Sequence, residues 1–393
     1  MQRLWIAAAV IVVLISGVFF LTHKSTFSEI STIGKDTHGF QDVRNRFIEL
    51  ARKKGGVYAY QVLARASLPP GIDLHLMGHA VGDILYEQKG VAGMADCTPE
   101  FRNACSHSIV IHALYEFGDG VLPKVKDACM KAPGGPGAYT MCFHGFGHGV
   151  FTYFARDLKK TVEYCKRAGT PEYHNREYTE CVGGAIMEMA DPGPGIGGDE
   201  VALDLARKKY LTDPLAPCMS AVIPEEAKSI CLTYLTPRIW MNAGINLGNP
   251  DPSKFSKAFS FCNAIPESKK YLREICYGGF GKEFLTLAAS RDVRHVDTQS
   301  KESFQTIGKW CSLAGNTAGE NACVGDAVAG LFWGGENNPD GSFRFCSVLA
   351  QTASEACFLR LAGEIRSYTS GDRKSALCAR LPKDAQIICN AES

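Results

Sequence analysis

Six of the ten histidines in this 393-residue chain fall between positions 75 and 148. They come as three spaced pairs: His75 with His79, His107 with His112, and His144 with His148. Residues four apart share a helix face, so the first and third pairs can each clamp one metal ion. His107 and His112 are five apart and diverge by about 140° on an ideal helix. His112 instead aligns with Glu116, four residues on. Imidazole nitrogen in such numbers suits zinc, copper or iron, used for metal-activated water, for redox chemistry or for carrying the metal.

The stretch Cys142–Val150, C-F-H-G-F-G-H-G-V, has echoes along the chain. Cys105 opens C-S-H-S-I-V-I-H, Cys181 opens C-V-G-G-A-I-M-E, Cys276 opens C-Y-G-G-F-G-K-E and Cys323 opens C-V-G-D-A-V-A-G. In this register His107 and His144 stand where later units carry Gly183, Gly278 and Gly325. His112, Glu188 and Glu283 share another position. Equivalent positions of stacked helices line a common groove, which brings the histidines of the first units to one region with Glu116 and Glu188 at its edge. Glu116 and Glu188 are the candidate catalytic carboxylates. Glu188 and Glu283 sit among apolar residues, where a carboxylate needs a partner. Lys282 beside Glu283 reads as a solvated pair.

The elements that must position these groups are helices. Val43, Phe47, Ile48 and Leu50 begin an apolar stripe from Gln41 to Gly55, Tyr58 to Ala66 makes a second helix, and Leu74 to Gln88 makes a third. Beyond them the rhythm is helix, short turn, helix, with a cysteine near the end of the first helix and its partner opening the second. Strand signals are nearly absent. The fold class expected is all-α, built of disulfide-stapled helical hairpins in an α-solenoid or curved array. The period resembles that of tetratricopeptide-like repeats, whose Trp, Tyr and Pro signature positions are not met. The paired histidines resemble coupled binuclear copper sites in outline, and the spacing of the middle pair departs from that pattern.

Sixteen cysteines without a single C-x-x-C exclude zinc-ribbon and thioredoxin-type readings. In chain order they form eight neighbours: Cys97–Cys105, Cys129–Cys142, Cys165–Cys181, Cys218–Cys231, Cys262–Cys276, Cys311–Cys323, Cys346–Cys357 and Cys378–Cys389. So even a spacing predicts sequential disulfides and an oxidising compartment. Leu4 to Leu21 is uncharged and spans about 27 Å as a helix, enough for a thin bilayer, and reads as an uncleaved signal anchor. The chain is therefore expected to be a single-pass membrane protein with its bulk periplasmic or extracellular. The organisation expected is an anchor over 1–24, a polar tether over 25–40, histidine-bearing repeats over 41–190 and further stapled repeats over 191–393.

A net charge of +1 with no basic block argues against nucleic acid as a partner. The loop Asp191–Asp199 lacks the Lys-Ser/Thr of a phosphate-binding loop. The glycine pairs Gly183-Gly184 and Gly278-Gly279 fit close helix packing. There is no H-E-x-x-H, G-x-S-x-G or dinucleotide fingerprint. Two functions remain: a metal-dependent site in the N-terminal half, or a scaffold whose groove holds a protein or peptide ligand while the histidines are structural. A pH-responsive interface on the same histidines is a third.

Overall fold

The computed structural model describes residues 29–69, 71–190, 200–246, 249–334 and 339–391. The predicted anchor and the loop Asp191–Asp199 lie outside the described residues. Among the described residues there is no strand, and no helix is long and apolar enough to cross a membrane.

The helices, in order, are α1 (Phe40–Lys54), α2 (Gly56–Leu63), α3 (Leu74–Lys89), α4 (Glu100–Phe117), α5 (Leu122–Cys129) and α6 (Gly135–Tyr153). Next come α7 (Leu158–Lys166), α8 (Arg176–Ala190), α9 (Glu200–Tyr210), α10 (Lys228–Ala243), α11 (Phe255–Cys262) and α12 (Lys270–Ala288). The last are α13 (Lys301–Ser312), α14 (Thr317–Gly334), α15 (Pro339–Val348), α16 (Gln351–Tyr368), α17 (Gly371–Cys378) and α18 (Lys383–Asn390). Helices α3, α4, α6, α8, α10, α12, α14, α16 and α18 pack each against the next, and shorter helices fill the outside between them.

Local chemistry sets the boundaries. Asp73 caps α3 by accepting from the Leu76 amide at 3.0 Å, and Gly90 ends it with φ 57°. Asp157 and Ser300 cap α7 and α13 in the same way. The short helices bury a narrow stripe, as with Phe304, Ile307 and Cys311 on α13. In the C-terminal half the core is aromatic: Trp240, Phe255, Phe259, Phe280 and Phe284 are all buried, and Phe259 stacks on Phe280 at 4.0 Å.

All eight neighbouring cysteine pairs are disulfides, and no described cysteine is free. This places the protein in an oxidising compartment. The first cysteine of most pairs ends a short helix, as expected. The second does not open its helix: α6 begins at Gly135 and Cys142 lies two turns in, and α12 begins at Lys270, six residues before Cys276. Likewise α8 begins at Arg176, five residues before Cys181. Consequently His144 and His148 sit in mid-helix, where side chains rather than free backbone groups surround them.

Of the polar segment ahead of α1, the described part docks rather than trails. Glu29 pairs with Lys54 at 2.7 Å and accepts from the Tyr58 hydroxyl, and Arg46 donates to the carbonyl of Lys35 at 2.6 Å. Distant parts of the chain also meet. Arg102 on α4 donates to Thr286 on α12 at 2.7 Å, and Arg294 donates to the Ala66 carbonyl at 2.8 Å.

Candidate metal centre

Helices α3, α4 and α6 bring five of the six predicted histidines together: His75, His79, His107, His144 and His148. One ring nitrogen from each of His75, His79 and His107 lies within 4.8 Å of the other two. The His107 ring is 5.7 Å from that of His144 and 6.1 Å from that of His148. His79, His107, His144 and His148 are buried, and His75 is half-buried.

Close helix crossings allow this. A Cβ on Gly145 would stand 2.3 Å from the His107 ring and 2.5 Å from its Cα, so only glycine lets α6 pass over His107. Likewise a Cβ on Gly184 would meet the His144 carbonyl at 1.9 Å, which is why α8 packs so tightly on α6.

Hydrogen bonds fix which nitrogen of each ring carries the proton. His75 Nδ1 stands 2.7 Å from the Phe101 carbonyl, which can only accept, so Nδ1 donates and Nε2 keeps its lone pair. Ser108 Oγ donates its one proton to the His79 carbonyl at 3.1 Å, so it must accept from His79 Nδ1, also at 3.1 Å. His79 Nε2 is then a lone pair too. His107 Nε2 donates to the Met141 carbonyl at 3.2 Å, and its Nδ1 has no partner. His148 Nδ1 donates to Glu188 at 3.0 Å, and its Nε2 likewise has none.

Four rings, three of them buried and one half-buried, therefore aim acceptors inward, each with its outer N–H held by a carbonyl, a hydroxyl or a carboxylate. Such outer bonds are what orient metal-ligating histidines. Protonation does not resolve the crowding. Burial first, then the neighbouring histidines, holds His79 and His107 well below the usual imidazole range, and burial lowers His75. Burial does the same to His144, with His148 and Lys282 adding to it.

The Phe101 carbonyl is aimed by an unusual backbone. Phe101, Arg102 and Asn103 are left-handed in succession, at φ 54°, 56° and 63°. Three consecutive non-glycine residues in that region cost free energy and persist only where surroundings enforce them. Here the Cys97–Cys105 disulfide and the His75 bond flank the run.

The other predicted residues divide. Glu188 is buried and holds His148. His112 points away from the cluster, to Asp83 at 3.1 Å, and stacks on Tyr86 at 5.1 Å; the Asp83 hydrogen bond raises its pKa. Glu116 is exposed and accepts from Tyr86 instead of joining the cluster. Glu283 and Lys282 are not a solvated pair: they meet at 2.9 Å with side chains only 20% and 18% exposed, because Lys282 lies over the Tyr234 ring.

One residue of the site escaped sequence reasoning. Glu180 is nearly buried, 3.5 Å from His144 Nδ1, and burial pushes its carboxyl up to about 7. Its signal was present: Glu180, Gly184 and Glu188 recur every four residues and so share the face of α8 that meets α6. Comparison with protein-family models, curated proteins and solved structures finds no match to this chain.

Proposed function

We propose that this is a metal-binding protein of an oxidising compartment, with a divalent transition metal held by His75 Nε2, His79 Nε2 and His107 Nδ1. The observation that carries the reading is the convergence of three fixed lone pairs with no proton donor among them. Left empty of any cation, each such buried acceptor costs about 1–3 kcal/mol. Separation supports it as well: ligands at about 2.05 Å in tetrahedral zinc geometry lie about 3.3 Å apart, and His75 Nε2 to His79 Nε2 is 3.2 Å.

Three protein ligands leave a coordination position for water or a substrate, the pattern of catalytic rather than structural sites. A bound divalent ion there would supply a water of lowered pKa or a Lewis acid. The chain's own contribution is orientation and exclusion of water, through Phe101, Ser108 and Met141 behind the ligands. Glu188 and His148 stand next to the centre as the acid–base pair in reach, while copper and iron remain alternatives to zinc on donor type alone. In the same reading the helical hairpins form a curved repeat array, and the apolar segment Leu4 to Leu21 tethers it to a membrane.

The test is elemental analysis of the full chain made in an oxidising compartment. About one transition metal per chain is expected, lost in His75→Ala and His107→Ala with helix content and disulfides unchanged. A wild type that stays metal-free after incubation with zinc, copper and iron ends the proposal.

A further inference from the structure

We propose that Arg102 and Lys282 form a recognition subsite for a small oxyanion, a carboxylate or phosphate group, beside the histidine centre. This deepens the metal reading by naming the substrate class, and rests on that reading for its role but not for its location.

Arg102 follows Phe101, whose carbonyl holds His75, so the guanidinium leaves the backbone at the edge of the cluster. Its Nη2 donates to Thr286 Oγ1 at 2.7 Å across 184 residues of sequence. That hydroxyl belongs to the turn of α12 that follows Lys282 and donates to the Lys282 carbonyl at 3.2 Å. Thr286 thus ties Arg102 to the backbone of the turn that carries Lys282, and both cations act on the Glu283 carboxylate. Lys282 Nζ lies 4.4 Å from the centre of the Tyr234 ring, and His144 also packs on that ring, at 4.4 Å.

Charge makes the place suited to an anion. Glu283, 2.9 Å from Lys282, is the one carboxylate paired there. Burial raises its pKa, but Lys282, Arg102 and Arg291 together outweigh burial and hold it ionised. Lys282 is also within electrostatic reach of Glu180 and Asp326, whose carboxyls burial pushes up to about 7 and about 6, and Asp326 has Arg360 at 3.6 Å. Arg102 and Lys282 therefore meet one firmly ionised carboxylate, Glu283, in a partly enclosed setting where Coulomb attraction exceeds that at an open surface. Thr286 is the one protein hydrogen-bond partner of Arg102 among the described residues, so most of its five donors remain for a ligand. A planar guanidinium with an ammonium beside it is the donor set that recognises carboxylate and phosphate oxygens.

Calorimetric titration of the zinc-loaded full chain with inorganic phosphate, and separately with succinate, tests this. At least one titrant should bind, and the one that does tells phosphate from carboxylate. Arg102→Gln and Lys282→Gln should each weaken binding by roughly tenfold or more, as loss of a charged hydrogen-bond donor does, with zinc content and circular dichroism unchanged. Arg102→Lys should recover part of the affinity. If Arg102→Gln misfolds, Lys282→Gln decides, with circular dichroism checking that loss of its packing on the Tyr234 ring leaves the fold intact. Neither titrant binding at about 10 mM, a free energy too small for recognition, overturns the proposal, as do variants that bind like the wild type. A wild type that holds no zinc sinks the metal reading alone; the same titrations on that protein still decide the subsite.

Discussion

His75 Nε2 and His79 Nε2 face each other at 3.2 Å, and neither ring has a proton to place between them. Both Nδ1 atoms are already donors, to the Phe101 carbonyl and to Ser108. A proton shared between the two would create an imidazolium, which burial opposes. A cation bound by both is the arrangement that removes the repulsion. The histidines of α3 should therefore behave as one unit: losing either costs the metal.

His112 supplies the internal control. It was as strong a candidate as His107 by spacing, yet it bonds to Asp83, one turn beyond His79 on α3. His112→Ala should keep full metal content, whereas His107→Ala should lose it. Equal loss in both, read by elemental analysis on folded protein, would place the ligands elsewhere.

How much of this was legible beforehand depends on distance along the chain. The helices, the staples and the i, i+4 pairs are local, and periodicity revealed them. Which pairs converge is not local. By spacing His144 with His148 could clamp a metal as well as His75 with His79, but α6 and α8 cross at Gly184 so that His148 meets Glu188, while α3 and α4 turn His75, His79 and His107 toward one point. Nothing near His112 in sequence announced Asp83, which lies on another helix. The middle pair's divergence was readable, since a five-residue separation cannot put both rings on one face.

Stability of the chelator-stripped protein should fall as pH drops below about 6.5, the ordinary histidine value. His79, His107 and His144 have depressed pKa values in the fold, so the unfolded chain binds protons that the folded one refuses. Each contributes a slope of up to about 1.4 kcal/mol per pH unit below that point. Glu180, raised to about 7, and Asp326, raised to about 6, hold protons in the fold over the same window and offset part of the slope. His75, also lowered by burial, adds to the slope and His112, raised by its Asp83 hydrogen bond, offsets it, so the net sign remains destabilisation on acidification, four against three. Denaturant midpoints from pH 7 to pH 5 that do not move downward would contradict it.

The Cys129–Cys142 staple closes a separation of 13 residues at the base of the helix that carries His144 and His148. Replacing both cysteines with alanine should cost about 3 kcal/mol in the chain-entropy estimate. Urea unfolding measures this, and non-reducing peptide mapping of the same sample should show the other seven sequential pairs unchanged. Long-range pairs as the main species would mean that the staples do not define the hairpins.

Gly145 and Gly363 make a matched pair. Gly145→Ala places a methyl 2.3 Å from the His107 ring and should destabilise by about 1–3 kcal/mol, the range for overpacking, while lowering metal content. Gly363, within α16, has nothing within 4 Å of its added Cβ. Gly363→Ala should stabilise by up to about 1 kcal/mol through helix propensity. Thermal unfolding of the two variants should move in opposite directions.

Ser108 carries the most specific prediction, because it acts on the metal only through a tautomer. Its hydroxyl donates to the His79 carbonyl and thereby can only accept from His79 Nδ1, which frees Nε2 to face His75. Ser108→Ala removes that acceptor, lets the proton move to Nε2 and blocks the ligand atom in part of the population. Loss of such an outer partner typically weakens metal binding by about 10–100-fold. Ser106, also buried and two residues before Ser108, donates to the Asn103 carbonyl at 2.9 Å rather than to a histidine. Chelator competition should therefore separate the two: Ser108→Ala weakened, Ser106→Ala close to wild type, both with unchanged helix content. Equal affinities for all three proteins would show that Ser108 does not set the His79 tautomer, and the assignment of Nε2 as the ligand atom would fall with it.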